Sequence, residues 1–208
     1  MDPRESNLIE EMNDIIEEAL KKEAPKVKVG YGQELALKIL DLAIRIERLG
    51  REQYVYLGTK VSNPKGREMF KYLTEEEAGH IKGLKKEYEA LRTDGKWLLK
   101  EKVLPQEGTC RITMPKKKDV KASRDIFPED ADMKKNSTDL DVLKLAIETK
   151  KRAIKFYCTA SAKLDDPYGK KMFSHLVDIE NRHLSELEVQ YEWMDQAGFW
   201  FDPSMMTD

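Results

Sequence analysis

Apolar residues recur at three- and four-residue intervals along most of this chain. Residues 6 to 23 do so through Leu8, Ile9, Met12, Ile15, Ile16, Ala19 and Leu20, which predicts one amphipathic helix ended near Pro25. Four longer stretches, about 33 to 60, 64 to 93, 138 to 163 and 167 to 196, carry the same period and predict four long helices. Between the second and third, residues from about 98 to 136 hold Pro105, Gly108, Pro115 and Pro128, so this stretch cannot be one regular helix. A connection of that length inside an all-helical chain predicts a crossover running the length of a bundle before the next helix starts.

The four long patterns are two copies of one unit. Shifted by 103 residues, positions 37–98 align with 140–201 without a gap and share 19 identities in 62 positions, where average residue usage gives roughly four by chance. Most identities, such as Leu40/Leu143, Met69/Met172, Phe70/Phe173 and Leu73/Leu176, belong to a helical core stripe. Asn63-Pro64 and Asp166-Pro167 each put a capping residue before a proline, which marks a helix starting at the proline after a tight turn. Each repeat is therefore a helix hairpin. Two hairpins facing each other across an approximate twofold axis make an all-α four-helix bundle.

Some identities are not required by packing. Glu77 and His80 stand three residues apart, about 60° apart on one helix face, and Glu180 and His183 repeat the arrangement. The chain has three histidines, and two of them fall in these equivalent motifs. One Glu-x-x-His is common on a charged helix; two at matching places of an ungapped repeat are brought together where the hairpins meet. Ferritin-like dimetal carboxylate proteins use this ligand set, with one further Glu from each of the other two helices. The alternative is a buried Glu/His hydrogen-bond network without metal, which the cost of burying several carboxylates without a cation disfavours.

The remaining ligands belong on the first helix of each hairpin. Glu47 lies three residues after Ile44 and seven before Tyr54, on the apolar stripe beside two repeated core positions. Its counterpart in the second repeat is Lys150. Glu148, two residues away and about 200° around the helix, is expected to face outward unless the helix shifts. Tyr54 and Tyr157 follow these positions at equivalent places and are read as core residues or as hydrogen-bond partners of a ligand.

Charge narrows the function classes. The 37 basic and 39 acidic residues give a net charge of −2 and are strewn along the chain, as on solvated helix faces, which argues against a nucleic-acid stripe. The cluster Lys116–Lys118 with Lys121 sits in the proline-containing connection and reads as a solvated loop. The amino terminus is acidic where a signal peptide is basic, and no stretch approaches a membrane span, so a cytoplasmic protein without membrane contact is expected. Two cysteines, Cys110 and Cys158, make neither a disulfide framework nor a CxxC knuckle.

The segments Ala43–Tyr54, Phe70–His80, Leu145–Tyr157 and Phe173–His183 resemble the rubrerythrin-like family of ferritin-like diiron proteins, as do Ile126-Phe-Pro-Glu129 and Gly198–Phe201. The resemblance covers about 35 to 201. It implies a ferritin-like four-helix bundle, which with the hydrophobic period and the repeat divides the chain into an N-terminal helical arm over 1–30, the bundle over 31–201 and a tail over 202–208. It also implies ligation of two irons, with Glu47, Glu77, His80, Glu180 and His183 as the matching residues; the ligand types admit manganese too, and Lys150 leaves one or two ions open. The implied activity is reduction of peroxide or dioxygen by an oxidoreductase using an external electron donor. A ferrous-oxidising iron-binding protein, or a structural bundle with a degenerate metal site, are the alternatives. Two features depart from the family: Lys150 at an expected ligand position, and the lack of a four-cysteine rubredoxin segment. The amphipathic arm is expected to dock on the bundle or on a second subunit, and a homodimer is expected.

Overall fold

The computed structural model describes residues 31–98 and 137–201. The predicted arm at 6–23, with its docking partner, and the connection from 99 to 136 lie outside the described residues. Among the described residues four helices follow in order: α1 Tyr31–Lys60, α2 Pro64–Asp94, α3 Ser137–Lys163 and α4 Pro167–Ala197. Their bounds fall within two residues of those read from the hydrophobic period.

The two repeats use the same start and stop devices. Asn63 caps α2 by accepting from the Lys65 amide at 2.9 Å, and Asp166 caps α4 by accepting from the Tyr168 and Gly169 amides at 2.8 and 3.2 Å. Pro64 and Pro167 follow directly, where their missing N–H costs no intrahelical bond. At the far ends Gly95 and Gly198 take left-handed φ values of 65° and 84°, and their amides return to the Leu91 and Met194 carbonyls. A side chain there is strained, which explains why both repeats keep glycine.

The α1–α2 and α3–α4 hairpins share one interior. One apolar cluster joins Ala36, Leu40 and Ala43 of α1 with Leu84 and Leu91 of α2, Phe156 and Tyr157 of α3, and Phe173 and Leu176 of α4. A second joins Tyr54 and Leu57 of α1 with Phe70 and Leu73 of α2, Leu143 and Ala146 of α3, and Leu187 and Met194 of α4. The first half of α1 thus meets the second half of α3 and the reverse, so these two helices run antiparallel. Between the clusters, at mid-length, all four helices bury polar residues: Glu47, Glu77, His80, Lys150, Glu180 and His183 are each at most 2% exposed.

Repeated tryptophans bind each hairpin's end to the other hairpin's start. Trp200, just beyond α4, lies over Gly66 in the first turn of α2, and Trp97, just beyond α2, lies over Gly169 in the first turn of α4. A Cβ on Gly66 would stand 2.5 Å from Trp200 Cε2, and one on Gly169 would stand 2.7 Å from Trp97 Cζ2. The Gly66/Gly169 and Trp97/Trp200 identities are therefore two halves of one reciprocal contact. Trp200 also donates from Nε1 to Asp139 Oδ2 at 2.7 Å, tying the end of α4 to the start of α3.

Candidate metal centre

Glu47 reaches the mid-bundle layer from α1, Glu77 and His80 from α2, and Glu180 from α4. Each offers one ligand atom, and these atoms all lie within 4.8 Å of one another. His80 Nδ1 stands at the middle, 3.3 Å from Glu47 Oε2, 3.4 Å from Glu77 Oε2 and 3.3 Å from Glu180 Oε1. The three-residue spacing of Glu77 and His80 puts both on the inward face of α2, as the sequence pattern required. Tyr157, from α3, donates its hydroxyl to Glu47 Oε1.

Across the pseudo-twofold the equivalent positions are filled differently. Lys150 replaces the counterpart of Glu47, is 2% exposed, and its Nζ contacts Glu77 Oε1 and Glu180 Oε2 together. Tyr54, the counterpart of Tyr157, is buried, and among the described residues its hydroxyl has no hydrogen-bond partner; its ring lies 5.4 Å from Lys150 Nζ. Glu148 is 61% exposed and faces Arg152 at 3.7 Å, so it points away from the layer as its helical phase predicts. His183 is buried and stacks on His80 at 5.9 Å. Its Nδ1 is 3.8 Å from Glu180 Oε2 and its Nε2 is 3.8 Å from Glu76 Oε2, and neither nitrogen makes a hydrogen bond. Of the five residues expected to ligate metal, four converge as one group; His183 lies in the same layer outside it.

Electrostatics divides the layer in the same way. Burial, the largest influence on Glu77, would raise it, but the Lys150 ammonium together with hydrogen bonding to Glu47 and His80 holds the carboxyl down at about 2. Glu180 is likewise held well below the ordinary carboxylate range, against burial, by Lys150 and then by the two histidines. Lys150 is held well above its usual value, burial being overcome by Glu180 and Glu77. Glu47, on the other side, is raised well above the ordinary range by burial and then by the charge of Glu77. Burial would lower His80, yet the carboxylates of Glu180, Glu47 and Glu77 hold it well above its normal value.

The donor set on the Glu47 side fits a divalent ion. Three carboxylates and one imidazole converge, and the buried Glu77 Oε2 and Glu180 Oε1 accept no hydrogen bond. Such a set suits iron and also admits manganese. Among the described residues no second group of this kind forms on the His183 side.

A family model described as Rubrerythrin matches residues 38–191, well over half of the chain. The chain belongs to the rubrerythrin family. Its architecture is also similar to a solved structure of a hypothetical protein from Pyrococcus furiosus, with a TM-score of 0.50 and 24% identity over 76% of this chain and 88% of that one. That likeness concerns the fold alone. No curated protein matches significantly. In rubrerythrin terms, the four-helix bundle with a buried Glu/His group capable of holding metal is the family's architecture. Among the described residues no helix is long and apolar enough to cross a membrane.

Sequence reasoning missed Glu76. It is half-buried beside His183, and its repeat counterpart is the buried Ile179. The signal was available as a carboxylate on one repeat facing an apolar residue on the other, but helical phase alone does not show that it approaches His183.

Proposed function

We propose that this rubrerythrin-family protein binds an iron-type ion through Glu47, Glu77, His80 and Glu180 and serves as an oxidoreductase that reduces peroxide or dioxygen. The observation that carries the reading is the convergence of three buried carboxylates and one imidazole within 4.8 Å, in a layer closed above and below by apolar clusters. A bound ferrous ion supplies a one-electron reductant there. The chain's own residues keep bulk water away, hold Glu47 through the Tyr157 hydroxyl, and gather the carboxylates around His80 Nδ1. Reduction of one hydrogen peroxide to two waters consumes two electrons and two protons, and the reading assigns the electrons to an external one-electron donor. The two cysteines of the sequence are too few for a four-cysteine iron centre.

Lys150 supports a second reading, a bundle that has kept the fold with a degenerate site. One experiment separates the two. The full chain is reconstituted anaerobically with ferrous or manganous ion, desalted and assayed for metal, and peroxide consumption is followed with a generic one-electron donor. Bound metal, and turnover lost in His80→Ala, are expected. A wild-type chain that retains no metal and consumes peroxide no faster than His80→Ala refutes the oxidoreductase reading in favour of the degenerate bundle.

A further inference from the structure

We infer that the Lys150 ammonium takes the place of a second metal ion, so that the centre loads a single divalent ion on its Glu47 side. This rests on the metal-binding reading above and adds the number of ions.

The repeat locates the substitution. Glu47 and Lys150 are 103 residues apart and so are Glu77 and Glu180, so the pseudo-twofold that exchanges the hairpins exchanges the members of each pair. Glu77 and Glu180 therefore face both halves of the layer. Each turns one oxygen toward His80 and the other toward Lys150 Nζ. The ammonium thus bridges the same two carboxylates from the side opposite His80, where a symmetric centre would have its second cation.

The neighbours of Lys150 are arranged unlike their counterparts across the pseudo-twofold. Tyr157 donates to Glu47, whereas Tyr54, with no carboxylate at position 150 to receive it, leaves its buried hydroxyl unpartnered. His183 lies outside the converging group, its Nδ1 3.8 Å from Glu180 Oε2 and its Nε2 3.8 Å from Glu76 Oε2, whereas His80 Nδ1 faces three carboxylates at 3.3–3.4 Å. Glu148 is turned to solvent and cannot compensate without unwinding α3. Lys150 itself has no cheap way out: withdrawing Nζ would strip the Glu77 and Glu180 oxygens of their counter-ion inside the bundle.

Charge counting gives the same stoichiometry. Two divalent ions are neutralised by four ligand carboxylates. With lysine at position 150, one divalent ion plus the ammonium is neutralised by the three that remain. A second ion beside Lys150 would exceed these three carboxylates by two positive charges, of which Glu76, 3.8 Å from His183 Nε2, offsets only one, in a layer bounded by hydrocarbon where screening is poor.

The test counts ions in the full-length protein. Wild type, Lys150→Glu and Lys150→Gln are reconstituted anaerobically with ferrous ion, desalted and measured by mass spectrometry for metal per chain. The oxidised samples are examined by electron paramagnetic resonance, and urea midpoints establish that each variant is folded. One ion in the wild type with the signal of an isolated high-spin ferric ion is expected. Two ions in Lys150→Glu, with that signal lost to coupling, are expected as well. Lys150→Gln, which removes the charge and introduces a neutral amide oxygen, should gain a second ion bound roughly tenfold or more weakly than the first. Two tightly held ions in the wild type overturn the inference and leave the metal-binding reading standing. A wild type with no ion overturns that reading instead. One ion in every folded variant also overturns the inference, because the limit would then lie elsewhere than Lys150.

Discussion

Glu87 offers a prediction whose size can be worked from the structure. It lies near the end of α2, fully buried, with Oε1 accepting the Leu98 amide at 2.7 Å and Oε2 accepting nothing. Burial raises its carboxyl, the Leu98 amide opposes this, and the Asp166 carboxylate adds to it, leaving the group at about 7 against an ordinary 4.5. A carboxyl raised on folding makes the native state bind more protons than the unfolded chain between those two values, so stability falls as pH rises through that window. The full cost of ionising it is about 3 kcal/mol, reached above about pH 8. Its repeat counterpart is Gln190, also buried, so a neutral amide already fits this environment once. Glu87→Gln should match wild type near pH 5 and become progressively more stable up to about pH 8. Urea unfolding of both proteins across pH 5 to 8.5, with a metal chelator present, isolates the residue because other titrating groups cancel in the difference. Parallel stability curves, or a variant that loses ground as pH rises, would refute the reasoning.

Gly66→Ala should destabilise by about 1–3 kcal/mol in spite of better helix propensity, because the new methyl collides with the Trp200 ring; near-UV circular dichroism should show that ring disturbed. The tyrosines should behave unequally: Tyr157→Phe should cost about 1–3 kcal/mol in thermal unfolding, since it removes the donor to buried Glu47, while Tyr54→Phe should be neutral or slightly stabilising. Equal losses in the two would contradict the broken symmetry. Glu148→Ala should leave metal content unchanged and stability within about 0.5 kcal/mol, because among the described residues its ion pair is the exposed one with Arg152.

The sequence by itself determined the helices, their ends and the family. Period places α1 to α4, Asn63-Pro64 and Asp166-Pro167 mark two starts, and the ungapped repeat pairs Glu77-His80 with Glu180-His183. These features are local: period, capping and spacing act along one helix, so a linear string carries them. The same phase arithmetic turned Glu148 outward, as found.

Contacts across the bundle were decided only by tertiary structure. Helical phase shows that Lys150 faces inward, but its long stem reaches many points, and only the positions of α2 and α4 bring both Glu77 and Glu180 to its ammonium. Phase likewise gives Tyr54 and Tyr157 equal standing. The antiparallel register of α1 on α3 sets Tyr157 against Glu47 and Tyr54 against Lys150, making one a hydrogen-bond donor and leaving the other without an acceptor. The approach of Glu76 to His183 and the tryptophan–glycine exchange between hairpins depend on the same register. Local sequence rules fix which face a residue occupies, whereas the atom it meets is set by how four helices settle around a shared core.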